Sequence, residues 1–508
     1  MMAYDLSKAG VLVAGAGAMG TGIAQVAAQS GHEVMLYDNR ADAPGEALRS
    51  LEETLQKLVD RGRIGQKDAR STLARIRLVH HLDDVAGSGL AVEAVSEDIG
   101  IKRSLFAELE DRLDEMAVLA TNTSSLSVTA IAAKLRNPGR LVGMHFFNPA
   151  PVMKLVEVVS GLDTDPRAAD AVFELAGRWG KVPVHAASTP GFIVNRIARP
   201  FYAEALEVLQ ERACDHVAVD ACLRGAGFRM GPCELMDLIG HDTNFAVTES
   251  VFHANFMDRR YKPSLIQKAL VEGGRLGRKS GQGFYRYGPE AGTADTDVSV
   301  HTYRPPDTGG VILHGRDFVA DLLGERLREL GLSFEQVAGS GWTGIESPDG
   351  QLRLTEGLPA SALGENVAVF DLPIACGRES ALAMSCSARA SADWHAHSAG
   401  WLAALGFVPR MIGDVPGLVV ARTIAMLINE AADAVQQGVC TESGADDAMK
   451  LGVNYPEGPF EWLSKWGIAP VIGLLDHLDA YYRGERYRVS PLLRRRAWGR
   501  PGRDDGGC

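Results

Sequence analysis

The chain lacks any apolar run long enough to cross a bilayer, and it lacks the paired cysteine spacing of a metal site or a disulfide scaffold. Its seven cysteines (Cys214, Cys222, Cys233, Cys376, Cys386, Cys440 and Cys508) are scattered and odd in number, which suits reduced thiols. Positive charge is also short: the net charge is −12, which argues against general nucleic-acid binding, because that needs a cationic surface. The one basic cluster, Arg494–Arg495–Arg496 with Arg500 and Arg503, reads as a solvated end. No signal-peptide pattern precedes the first strand-like run at Val11, so a cytoplasmic protein without metal or membrane contact is expected. What remains is ordinary globular material. With 508 residues, 46% of them hydrophobic and 23% charged, the chain has enough for several cores and no compositional reason for disorder.

Residues 11–38 read as strand, glycine turn, helix and strand. Charged helical segments follow over roughly 41–77, then a strand near Leu90–Ala94 and a helix at 101–116. Strand-like runs recur at Val118–Ala120, Leu141–Met144 and Leu155–Val159, an alternation that predicts an α/β domain on a parallel sheet. After Thr189-Pro190-Gly191 the pattern turns helical, at 192–212, 215–224, 232–238 and 245–256. A polar loop around Gly288–Thr308 closes that segment. The second half then repeats the first. Val415-Pro416-Gly417-Leu418-Val419-Val420-Ala421-Arg422 answers Thr189-Pro190-Gly191-Phe192-Ile193-Val194-Asn195-Arg196, and Glu430 answers Glu204. Upstream, Val311 to Gly315, a helix and Gly331 keep the spacing of Val11, Gly15 and Gly31, with Asp317 and Ala320 replacing Gly17 and Gly20. The expected fold is therefore a Rossmann-type dinucleotide-binding domain (1–188), a helical domain (189–288), a linker with a degenerate Rossmann remnant (289–413) and a second helical copy (414–500).

The first glycine turn, Gly15-Ala16-Gly17-Ala18-Met19-Gly20, has the context of a dinucleotide site. Gly15 allows the tight turn, Gly17 lets backbone approach a pyrophosphate, and Gly20 lets the helix pack on the strand. The N–H groups that open the helix, Ala18 and Met19 among them, face the phosphates with the positive end of the helix dipole. Asp38, ending the second strand, is placed to accept from a ribose 2′-hydroxyl and to repel a 2′-phosphate, which favours NAD over NADP. A second match, Gly339-Ser340-Gly341-Trp342-Thr343-Gly344, runs into Ile345–Gly350, which cannot open a helix. It reads as a coincidence.

Oxidising a secondary alcohol takes a base for the hydroxyl proton and donors for the oxygen that becomes a carbonyl. His145, at the end of an apolar strand in Gly143–Pro149, stands where such sheets face their ligand, and Glu157 on the next strand-like run would orient its ring. Taken alone, a histidine there is more often structural than catalytic. The surrounding words change that reading. Thr121-Asn122-Thr123-Ser124-Ser125-Leu126-Ser127, Gly143–Pro149, Val152–Glu157 and Thr189–Arg196 occur in order, and residues 11–287 as a whole resemble the 3-hydroxyacyl-CoA dehydrogenase family.

The resemblance implies NAD as cofactor and an acyl-CoA thioester, a 3-hydroxyacyl-CoA, as substrate. It implies His145 as base, Glu157 as its partner, and Ser124 and Asn195 as the groups that polarise the substrate oxygen. Glu97 and Lys102 match family positions near the nicotinamide half of the cofactor, and Asn122 and Asn148 fall in the same cleft. Thr54 and Arg61 match positions that contact coenzyme A. In the second copy Ala421 replaces Asn195, so that half is expected to be structural, an internal partner forming a pseudo-dimer within one chain. A homo-oligomer is compatible with this. Two helical domains around a degenerate centre are similar to a subgroup that oxidises dicarboxylic thioesters in bacterial phenylacetate breakdown, for which Arg196, Arg199 and Arg229 are candidate tail contacts. Short-chain, four-carbon thioesters, free 3-hydroxy acids and a crystallin-like loss of catalysis are the competing readings.

Overall fold

A computed structural model describes residues 4–288, 309–375 and 377–499; the expected linker loop, Arg500, Arg503, Cys376 and Cys508 lie outside the described residues. The chain divides into two compact units, Met1–Arg196 with Gln437–Val453, and Ile197–Gln436 with Asn454–Cys508.

The first unit is built on strands β1 (Gly10–Ala14), β2 (Val34–Tyr37), β3 (Ile76–Val79), β4 (Ser88–Glu93), β5 (Val118–Thr121), β6 (Leu141–Phe146), β7 (Leu155–Ser160) and β8 (Val182–Ala187). They form one sheet in the order β3-β2-β1-β4-β5-β6-β7-β8. Buried branched side chains such as Val11, Val13, Val92, Val118, Val142, Val156 and Val158 make its core, as strands covered on both faces require. The sheet departs from the expected all-parallel form at one place. β7 runs antiparallel to β6, because only the short loop 147–154 joins them and a parallel return needs a longer crossover. β3 and β8 are also additions. The span read as helical over 41–77 is two helices, Ala43–Asp60 and Gln66–Ala74, followed by β3, whose exposed Arg77 interrupts its apolar pattern. β8 carries Pro183 and an exposed His185 and lies at the sheet edge, the position where proline is tolerated.

The second unit contains strands β9 (Val311–His314), β10 (Phe334–Val337), β11 (Gly344–Ser347), β12 (Gly350–Leu354), β13 (Val367–Phe370), β14 (Ala381–Cys386) and β15 (Val408–Met411). Their order is β10-β9-β11-β12-β13-β14-β15. β9, the helix Phe318–Glu329 and β10 form a parallel βαβ unit. β11 is antiparallel to both its neighbours, so a tight β11–β12 hairpin stands where the first sheet has the long crossover from β4 through Ile99–Arg112 to β5. That exchange is how the second sheet is shortened. The glycines at 339–344 lead into β11 and not into a helix.

The expected single helix at 192–212 is two, Val194–Ile197 and Arg199–Gln210, broken at Ala198 ahead of Pro200, which lacks an N–H and suits only a first turn. In the second unit the repeated glutamates are fully buried and matched by arginine–tyrosine pairs. Glu204 accepts from Arg486 Nη2 at 2.7 Å and Tyr487 Oη at 3.0 Å. Glu430 accepts from Arg260 Nη1 at 3.4 Å and Tyr261 Oη at 2.5 Å. Each copy thus neutralises the other's buried acid. Helices are also exchanged between the halves of the sequence: Glu442–Val453 packs on β7 and β8 within the first unit, and His216–Gly225 packs on β14 within the second.

Candidate active site

The cofactor cradle follows from three glycines with different reasons. Gly15 has φ +111°, and a Cβ there would lie 2.4 Å from Ala94 O; one on Gly20 would lie 1.8 Å from Gly15 O. One on Gly17 would meet nothing within 4 Å, so the turn is closed beneath and open above. The helix Ala18–Gln29 has Gly17 as N-cap and no side-chain cap, which leaves the first N–H groups, at Ala18, Met19 and Gly20, for an anion. Asp38 follows β2 and braces the turn, its Oδ2 accepting from Ala16 N at 2.8 Å. Its Oδ1 accepts from Arg40 N at 2.9 Å. An open glycine, uncapped helix N–H groups and a carboxylate at the second strand fit a dinucleotide with a free 2′-hydroxyl.

The catalytic candidates come from the antiparallel junction. The register of β6 and β7 sets His145 directly against Glu157. His145 Nδ1 lies 2.5 Å from Glu157 Oε2. Glu157 is fully buried, and its Oε1 accepts from the N–H groups of Ile193 at 3.0 Å and Val194 at 2.9 Å. The imidazole packs on Phe147 and Phe192, with ring centroids at 4.5 and 5.9 Å. With Nδ1–H directed at a carboxylate, Nε2 is the nitrogen with a lone pair for a substrate proton. Asn195 follows Val194, and its Nδ2 reaches Ser124 O at 3.5 Å. Asn122 Oδ1 accepts from Phe146 N at 2.8 Å, which pins the end of β6 beside the histidine.

Ser124 is held by an acid. Glu97 accepts from Thr123 Oγ1 at 2.6 Å, Ser124 N at 3.0 Å and Ser125 Oγ at 2.9 Å. Burial pushes Glu97 up, but the Thr123 hydroxyl and the Lys102 ammonium at 3.2 Å outweigh that and hold it below the usual carboxylate range. Lys102 itself is buried, with Nζ 2.7 Å from Glu93. Its ammonium is committed to Glu93 and Glu97, so the cofactor contact expected of Lys102 would pass through Glu97.

Asn148 is exposed on the loop from β6 to β7, which Lys181 fastens by donating to Ala150 O at 2.5 Å and Met153 O at 2.8 Å. Thr54 and Arg61 are exposed on and just after the helix Ala43–Asp60, and the Thr54 hydroxyl donates to Ser50 O at 2.8 Å within its own helix. Of the candidate tail arginines, Arg196 and Arg199 are buried and bonded to Gln437 and Thr248, whereas Arg229 is exposed. Sequence reading missed Glu93 and Lys181. A lone acid ending the apolar run Gly89-Leu90-Ala91-Val92 was a signal for the first, and nothing local marks the second. Among the described residues, five cysteines are free, no His/Cys/Asp/Glu group is arranged for a metal ion, and no helix is long and apolar enough to cross a membrane.

A Rossmann sheet with an open phosphate turn and a carboxylate-bound imidazole at a strand end is the equipment of a nicotinamide-dependent alcohol dehydrogenase. Comparison with known proteins narrows this. Residues 10–189 match the profile of the 3-hydroxyacyl-CoA dehydrogenase NAD binding domain, and residues 191–287 and 417–507 match that family's C-terminal domain. Residues 352–416 match a 3-hydroxybutyryl-CoA dehydrogenase reduced Rossmann-fold domain. The chain is 44% identical over 490 residues to a 3-hydroxyadipyl-CoA dehydrogenase of Escherichia coli, covering 96% of this chain and 97% of the relative. It is 42% identical over 277 residues to a probable 3-hydroxybutyryl-CoA dehydrogenase of Deinococcus radiodurans, which covers 54% of this chain and 99% of the relative. A crystal structure of a 3-hydroxybutyryl-CoA dehydrogenase from Escherichia coli superposes with a TM-score of 0.85 at 42% identity, covering 97% of this chain and 99% of that one. The chain belongs to the 3-hydroxyacyl-CoA dehydrogenase family, whose members are NAD-dependent oxidoreductases.

Proposed function

We propose that this enzyme oxidises the 3-hydroxyl of a dicarboxylic acyl-CoA, 3-hydroxyadipyl-CoA, to the 3-oxo thioester, with His145 as its base. The observation that carries the chemistry is the His145–Glu157 pair at 2.5 Å, set by strand register and backed by two backbone N–H groups. His145 Nε2 takes the hydroxyl proton while Glu157 keeps Nδ1–H and stabilises the imidazolium that forms. Ser124 and Asn195 hold the substrate oxygen as it gains carbonyl character. NAD, when bound, accepts the hydride. Gly15, Gly17, Ala18, Met19 and Gly20 hold its pyrophosphate and Asp38 its ribose, with Glu97 and Asn122 bordering the nicotinamide. Asn148, Thr54 and Arg61 contact the thioester.

The adipyl substrate is supported by the relative of that name, which matches over nearly the whole length of both chains. A four-carbon substrate is the second reading, favoured by the 42% identical solved structure, a 3-hydroxybutyryl-CoA dehydrogenase. The paired Glu204 and Glu430 networks support the second helical copy as an internal partner. The five free thiols among the described residues, three of them buried, support the cytoplasm. The test is NADH formation with 3-hydroxyacyl-CoA thioesters of graded length, with and without a terminal carboxylate. A higher kcat/KM for 3-hydroxyadipyl-CoA than for 3-hydroxybutyryl-CoA is expected. The reverse order selects the four-carbon reading.

A further inference from the structure

We propose that the helix Glu442–Val453, through Gly452 at its carboxyl-terminal turn, is a positioning element for the His145–Glu157 pair. The second half of the sequence supplies no hydride-transfer residues of its own, yet it completes the site of the first half. This rests on the reading of His145 as the base and adds a reason for keeping the second helical copy.

The segment Gln437–Val453 belongs to the first compact unit and is tied to it along its length. Gln437 Oε1 accepts from Arg196 Nη1 at 2.8 Å, next to Asn195 in the chain, and Val439 O accepts from Ala187 N at 2.9 Å at the end of β8. The helix then lies over β7 and β8, with Gly452 in its last turn. A Cβ on that residue would stand 2.8 Å from Leu155 Cδ2, 3.0 Å from Val194 Cγ2 and 3.7 Å from the Phe147 ring. Each of these neighbours bears on the pair. Val194 donates its N–H to Glu157. Phe147 packs on the imidazole. Leu155 lies two residues before Glu157 on the same strand and therefore on the same face. Glycine inside a helix is unfavourable without a compensating reason. The close approach to these three side chains supplies one.

The other half packs the same two elements without touching a reactive pair. Its helix His216–Gly225 meets Ala381, the counterpart of Leu155, through Gly225, whose Cβ would lie 2.5 Å from Ala381 O and near only the backbone of that residue, whereas Gly452 faces the side chains of Leu155, Val194 and Phe147. Val194 is β-branched and stiff, so a methyl at position 452 would displace it and the N–H it offers Glu157. Misplacing a general base by a fraction of its hydrogen-bond length lowers the chemical step while leaving the dinucleotide cradle after β1, three strands away in the sheet, untouched.

The test compares Gly452→Ala with Gly324→Ala in the full-length enzyme. Gly324 is also helical and its Cβ would lie 3.2 Å from Leu313 Cδ2, but it covers the second sheet. We expect Gly452→Ala to lower kcat by roughly 10- to 100-fold with unchanged NAD affinity, and Gly324→Ala to keep kcat. Wild-type kcat in Gly452→Ala, or the same loss in both variants, overturns the inference. If Gly452→Ala does not fold, the double variant with Val194→Ala removes the opposing methyl and keeps the N–H. Recovery of most of kcat there supports the inference, and a folded protein as inactive as His145→Ala overturns it. His145→Ala in parallel separates the two levels. Turnover retained without His145 removes the base reading itself, whereas loss there with full kcat in Gly452→Ala removes the positioning role alone.

Discussion

The two halves of the chain carry the same frame with different chemistry, and the differences fall on few residues. Aligned on the Pro-Gly turns, His145 becomes Asp371, Glu157 becomes Ala383 and Asn195 becomes Ala421. The second sheet keeps the register, with Asp371 N donating to Ala383 O across β13 and β14 at 2.9 Å. In the first half Glu157 has two tasks, holding the imidazole and accepting the N–H groups of Ile193 and Val194. In the second half only the structural task survives. Asp371 accepts from Val419 N at 2.9 Å, Val420 N at 2.7 Å and Ala421 N at 2.8 Å from the other strand. The start of a buried helix must be satisfied whether or not a reaction takes place there. The phosphate turn shows the same economy. Asp317 accepts from Val319 N at 3.0 Å and Ala320 N at 2.9 Å, so a protein carboxylate stands where the first half leaves room for a phosphate.

Substitutions that break this comparison should separate chemistry from support. Glu157→Gln should lower kcat by about 10²-fold, because the amide no longer stabilises the imidazolium. Its counterpart, Asp371→Ala, should leave kcat unchanged and cost at least about 2 kcal/mol in urea unfolding, from three helix N–H groups left unpaired. Wild-type stability in Asp371→Ala would refute that division of roles. Where the frame is symmetric, the response should be too. Glu204→Ala and Glu430→Ala should each destabilise by about 3 kcal/mol, since each removes one carboxylate from a buried arginine that keeps a second, Glu211 at Arg422 and Asp433 at Arg260. A large effect at one and none at the other would break the pairing of the helical copies. A pH-dependent contrast concerns Lys181, which stands where the second half has Phe407. Burial, together with Lys154, pulls Lys181 down to about 8 from its ordinary 10.5. The folded chain therefore binds fewer protons than the unfolded chain between those values, and stability should rise with pH across that window by up to about 3 kcal/mol. Thermal unfolding of wild type against Lys181→Met from pH 7.5 to 10.5 measures it. A flat difference would show that Lys181 is not held in its buried place.

Much of this was legible in the residues because it rests on local rules. The glycine turn, the acid at Asp38 and the duplicated Pro-Gly words are contiguous patterns, and the structure builds strand, turn and helix on them. His145 and Glu157 were legible as a pair since each ends or follows an apolar run, although only the antiparallel register sets them face to face. β3, β8 and the direction of β7 were not. Arg77 and Pro183 obscure the apolar alternation, and strand direction depends on where a short loop lets the chain return. The Asp371 substitution for Glu157 was hidden for a different reason. The acid moved to the neighbouring strand, so position-by-position reading shows two losses where the fold shows one task transferred. The seating of Glu442–Val453 on the first sheet joins residues far apart in sequence, and no local pattern carries it.

The central claim is that one half of the chain performs the reaction and that His145 is the group on which it turns. Steady-state turnover of His145→Ala, beside calorimetric titration with NAD, addresses both parts. A fall in kcat of roughly 10²- to 10⁴-fold with one NAD still bound per chain is the expected result. Turnover within a few-fold of wild type, or two equivalents of NAD bound per chain, would contradict it.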